Sequence, residues 1–114
     1  MIVEQKVKKI LIHKNMSSYY SFIKRKINDC EVGVWKGIGS KNQLMHSHYI
    51  LMSVNSEEDL RDFMFLKSNC DFVFWSTESF EYYLQLINFK DSYYIDLRFP
   101  KNEIINQVKS AMLL

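Results

Sequence analysis

The sequence predicts an α+β protein, an antiparallel sheet of about five strands with helices mainly on one face. Three observations predict it. Some segments alternate apolar with polar residues or concentrate β-branched and aromatic ones, and others repeat apolar residues at helical spacing. The two kinds succeed one another in the order β-α-β-β-α-β-α-β-α. The two consecutive strands are separated by a glycine-containing polar turn, which predicts a long central hairpin.

Residues 7–14, VKKILIHK, alternate and are β-branched, which predicts the first strand. In the next segment Ser17 is a candidate N-cap, with Tyr20, Ile23 and Ile27 at helical spacing and Lys24, Arg25 and Lys26 on a basic face. EVGVWKGI at 31–38 and MHSHYILMSV at 45–54 supply the hairpin strands around the turn GSKNQL. Ser56 with Asp59 three residues on is a variant capping box, followed by Leu60, Phe63 and Met64 as the apolar stripe of a second helix. CDFVFWS at 70–76 is a strand, and Thr77 caps a third helix whose Phe80, Tyr83, Leu84 and Ile87 line one face. SYYIDLRF at 92–99 alternates again, with Tyr93, Ile95, Leu97 and Phe99 on one side. Pro100 suits the first turn of a last helix carrying Ile104, Ile105, Val108 and Met112. That helix stops at AMLL with no glycine or asparagine to cap it, which suggests one domain, residues 1–114, cut from the N-terminal part of a longer protein.

Composition narrows the function classes. At 114 residues the chain is one domain's length, and 47% hydrophobic with 25% charged residues excludes intrinsic disorder. Cys30 and Cys70 form no C-x-x-C pair, so neither a disulfide framework nor a zinc ribbon is indicated, and a reducing, cytoplasmic setting is expected. The N-terminus lacks the apolar core of a signal peptide, and no apolar run approaches the ~18 residues of a membrane span. Charge is asymmetric. Residues 1–57 carry nine Lys and Arg against four acids, a balance of +5, and the rest carry six against nine, a balance of −3. A basic half suits a polyanion, with Lys6, Lys8, Lys9, Lys14, Lys24, Arg25, Lys26, Lys36 and Lys41 as candidate phosphate contacts.

His46 and His48 lie two apart on a strand, so both can face one side and offer imidazoles to one divalent ion. The bland alternative places them at the sheet rim beside Ile50, Met52 and Val54. Trp35 and Trp75 each occupy a strand, as core or as stacking platforms for bases. The HSH motif on the third strand and Tyr82 and Tyr83 on the third helix resemble landmarks of rolling-circle replication initiators, the Rep or HUH endonucleases, over residues 7–99. The resemblance implies a ferredoxin-like fold, a Mg or Mn ion on His46 and His48, and a tyrosine nucleophile at Tyr82 or Tyr83 that nicks single-stranded DNA. Glu31 or His13 would be the third metal ligand. This chain departs from the family at Ser47, where a bulky apolar residue is usual, and in having Gln85 and Leu86 where a lysine would follow the tyrosines. The expectation is therefore an origin-recognising DNA-binding domain without catalysis, with DNA as partner and with no cofactor, membrane or small-molecule substrate. An active nickase and a protein-interaction module, such as an inhibitor or immunity protein, are the rivals.

Overall fold

A computed structural model describes residues 8–37, 48–70 and 72–113, apart from the side chain of His48. Five strands, β1 (Lys8–His13), β2 (Cys30–Trp35), β3 (His48–Ser53), β4 (Phe72–Ser76) and β5 (Ser92–Tyr94), form one sheet in the order β2-β1-β3-β4-β5. The helices are α1 (Tyr20–Lys26), α2 (Glu57–Asn69), α3 (Phe80–Leu86) and α4 (Lys101–Met112), and a 3₁₀ segment, Lys14–Tyr19, leads into α1.

Every strand pairing is parallel, which corrects the antiparallel expectation. β2 and β3 form no hairpin, because β1 lies between them and pairs with both. The reason is in the three central strands. Ile10, Leu11 and Ile12 of β1, Ile50, Leu51 and Met52 of β3, and Val73, Phe74 and Trp75 of β4 are consecutive apolar residues, all buried. A strand apolar on both sides must be covered on both sides, and parallel sheets meet that condition through helical crossovers.

The two faces accordingly carry separate cores. Ile10, Ile12, Leu51 and Phe74 pack with Ile23 of α1 and Ile104, Ile105, Val108 and Met112 of α4. Leu11, Ile50, Met52 and Trp75 pack with Phe63 and Leu66 of α2 and Leu86 of α3. Helices thus cover both faces, not mainly one. The open sheet face on which a ferredoxin-like resemblance depends is absent, and Trp35 and Trp75 are buried within the second core rather than offered to bases.

Several local expectations hold. Ser56 caps α2, accepting the Asp59 N–H at 3.1 Å, and the apolar residues expected in α4 are buried. Others shift. Ser17 lies in the 3₁₀ segment rather than capping α1, Ser79 instead of Thr77 caps α3, and Pro100 stands just before α4. Met64 of the expected α2 stripe is exposed, while Asp62 takes a buried position on that helix. Leu113 closes α4 in the left-handed conformation, φ 59°, with its N–H on the Lys109 and Ser110 carbonyls, so a cap forms without glycine or asparagine. The turn expected at 39–44 lies outside the described residues.

Candidate ligand crevice at the carboxyl edge of the sheet

Parallel strands present all their carboxyl ends at one edge, and in the order 2-1-3-4-5 the crossovers leave that edge toward opposite faces between β1 and β3. The buried polar residues collect there. His13 ends β1, Ser53 ends β3, Ser76 ends β4, and Asp62 reaches His13 from α2. The His13 Nδ1 accepts the Asn15 N–H at 3.1 Å, which leaves Nε2 as the protonated nitrogen, donating to Asp62 Oδ2 at 2.8 Å. The Trp35 ring lies 5.2 Å from the imidazole.

Asn15 follows directly. The β1–β3 ladder runs only to Ile12 and Leu51, so Ser53 has outrun its neighbour. The Asn15 side chain takes the missing place: Nδ2 donates to the Ser53 carbonyl at 2.7 Å and Oδ1 accepts the Ser53 N–H at 3.1 Å. Side chains also stitch the next loops. The Thr77 hydroxyl donates to the Val54 carbonyl at 2.5 Å and accepts the Ser79 N–H at 3.0 Å, while Asn55 Oδ1 accepts the Glu78 N–H at 2.8 Å.

Above this scaffold opens a crevice of about 970 Å³. Its lining combines Ser53, Asn55, Ser76, Thr77 and Ser79 with the rings of Tyr19, Phe80, Tyr83 and Tyr94 and the charged Glu78, Asp96 and Arg98. Ser76 is 3% exposed, and its Oγ has no hydrogen-bond partner within the protein. Three bonds from the Arg98 guanidinium, Nε at 2.9 and 3.1 Å and Nη2 at 2.6 Å, together with the Arg98 N–H, hold the Asp96 carboxyl at about 2. Burial, and then the Asp96 charge, raise the Tyr94 phenol, so it remains a donor at neutral pH. Tyr83 meets Tyr94 edge-on at 5.0 Å and carries Phe80 stacked at 6.3 Å.

No family model, curated protein or solved structure matches the chain.

The residues picked out by sequence are dispersed. Tyr83 lines the crevice, and Tyr82 packs against the second core. His46 lies outside the described residues, and His48 opens β3 at the amino edge, roughly 17 Å along the strand from Ser53. The strand thus separates His48 from the edge that carries Tyr83. Glu31, second in β2, lies near the amino edge and His13 ends β1 at the carboxyl edge, so these two do not meet. Among the described residues, no group of three His, Cys, Asp or Glu is placed to hold a metal ion.

Lys6 and Lys41 lie outside the described residues. Lys8 donates to the Met112 carbonyl at the end of α4, and Lys14 stands 3.7 Å from Glu58. Lys24, Arg25 and Lys26 are exposed on the last turn of α1, and Lys36 is exposed just after β2. Lys9 and Lys24 line a smaller groove of about 460 Å³ with Cys30 and Glu31, where burial raises the Cys30 thiol away from the reactive thiolate. No helix among the described residues is long and apolar enough to cross a membrane.

Sequence reading missed Asn15, Asn55, Asp62, Ser76 and Asp96. The available signal was positional: Asn15, Asn55 and Thr77 each follow an apolar run within three residues, where a parallel strand would deliver its loop.

Proposed function

We propose that the chain is a ligand-binding domain that holds a small polar, ring-bearing molecule at the carboxyl ends of β3, β4 and β5. Ser76 carries this reading. Its hydroxyl is buried without a protein partner in a residue that lines the crevice, and leaving such a group unpaired costs roughly 1–3 kcal/mol. A ligand oxygen or nitrogen would supply the missing bond once rotation about χ1 turns the Ser76 hydroxyl toward the crevice. Position supports the same reading, because ligands of doubly wound sheets lie outside the strand carboxyl ends, and the volume suits a small molecule. This departs from the sequence expectation, which included no small-molecule substrate.

The test is a screen of amide chemical shifts in the full chain against nucleosides, nucleotides, sugars, sugar phosphates and amino acids. Binding should move Ser53, Asn55, Ser76–Phe80 and Tyr94–Arg98 together, and Ser76→Ala should weaken it. A screen in which no compound moves these amides removes the reading.

DNA binding is the second reading, and a different observation favours it. Lys9, Lys24, Arg25 and Lys26 gather near the starts of β1 and β2, at the edge away from the crevice. Phosphate contacts would give a salt-dependent affinity. A gel shift at low salt that is weakened by Lys24→Glu with Arg25→Glu supports it, and no shift at any salt concentration ends it.

A further inference from the structure

We infer that the crevice takes an uncharged polyol carrying a ring, of the ribonucleoside or glycoside kind, and rejects the phosphorylated form of the same molecule. This rests on the small-molecule reading above and adds the chemical class.

Five of the backbone donors at these strand ends are already engaged. Phosphate sites at strand ends use free backbone N–H groups, commonly from glycine-rich turns, together with lysine or arginine. Here the N–H of Ser53 is taken by Asn15, that of Val54 by the Ser76 carbonyl, and that of Asn55 by Asp59. The N–H of Glu78 is taken by Asn55, and that of Ser79 by Thr77. No glycine occurs in 14–19, 54–56 or 77–79. Arg98 is the one cation among the described residues lining the crevice, and it is bound to Asp96 through Nε and Nη2. With Arg98 set against Asp96, Glu78 leaves the lining with a net negative charge, which disfavours a phosphate dianion.

The groups that remain suit hydroxyl donors. The Glu78 carboxylate can accept hydroxyls, and the Ser76 hydroxyl can donate or accept. Carboxylates hold ribose hydroxyls in this way in dinucleotide sites of related architecture. The Phe80 ring, 72% exposed and stacked at 16° on Tyr83, leaves a face for a base or for the apolar side of a sugar. Tyr83 is itself braced by Trp75 and Tyr94, so that face is held in place.

The experiment titrates the full chain with adenosine, uridine and methyl β-glucoside, and with adenosine 5′-monophosphate and glucose 6-phosphate, by calorimetry and amide shifts. A neutral probe should bind in the crevice at least about ten-fold more tightly than its phosphate. Phe80→Ala, at an exposed position, should weaken the neutral probe by a similar factor, and Glu78→Gln with Asp96→Asn should narrow the gap to the phosphate. Preference for adenosine and uridine over the glucoside identifies a nucleoside; the reverse identifies a glycoside. Equal or tighter crevice binding of a phosphate, or crevice shifts only with charged compounds of the wider screen, overturns this inference and leaves the small-molecule reading standing. Absence of crevice shifts with every compound overturns both.

Discussion

His13 ends β1 wholly buried, with both ring nitrogens engaged, one by the Asn15 N–H and the other by Asp62. Asp62→Ala would leave the Nε2–H unpaired in the interior, so a loss of roughly 1–3 kcal/mol is expected in urea unfolding. Ser76 predicts the opposite sign. Removing its unpartnered hydroxyl relieves a buried polar group, so Ser76→Ala should leave the free protein as stable or raise it by about 1 kcal/mol while weakening the ligand. Asp96 is held at about 2, below its ordinary value of 3.8. Its folded value is depressed, so its contribution is complete above the ordinary value and is lost as pH falls toward 2. A carboxyl-carbon NMR titration should find the Asp96 midpoint near 2. Asp62, Ser76 and Asp96 were not legible as a site in the sequence, since the Asp62 partner, His13, lies 49 positions away and Ser76 and Asp96 meet only at a crevice that several strand ends form together.

At the scale of elements, α3 shows how periodicity can select the wrong face. Phe80, Leu84 and Ile87 are spaced as an apolar stripe, yet all three are exposed, and Leu86 with the rings of Tyr82 and Tyr83 packs on the sheet. Tyrosine resolves the conflict, because its ring packs inward while its hydroxyl reaches the surface. Leu86→Ala should cost about 2–5 kcal/mol, whereas Leu84→Ala should stay within about 0.5 kcal/mol, both read by thermal unfolding. The same reasoning explains α2, where the cap at Ser56 was legible because capping is local, while the burial of Asp62 was not because its partner lies on β1.

For the whole molecule, parallel pairing places the long apolar strands at the centre and shorter or more polar ones at the edges. β1, β3 and β4 are covered on both faces, β2 is half-buried along most of its length, and β5 has three residues. Native-state hydrogen exchange should therefore be slowest in Ile10–Ile12, Ile50–Met52 and Val73–Trp75 and faster in β5. An antiparallel hairpin of β2 and β3 would instead protect those two strands together. Cross-strand amide contacts in NMR, Ile10 with Val32 and Leu11 with Ile50, check the register directly.

Local chemistry within the sequence determined that strands and helices alternate, where most of them lie, that Ser56 starts a helix and that α4 buries Ile104, Ile105, Val108 and Met112. Each depends on neighbours within about four residues. Strand direction was also written there, in runs such as ILI and FVFW, but period-two alternation and a continuous apolar run overlap in segments this short. Only the tertiary structure decided between them, by burying both sides of β1, β3 and β4. That choice brought the strand carboxyl ends to one edge and gathered Asn15, Asn55, Ser76 and Asp96, from four separate loops and strand ends, around a single crevice.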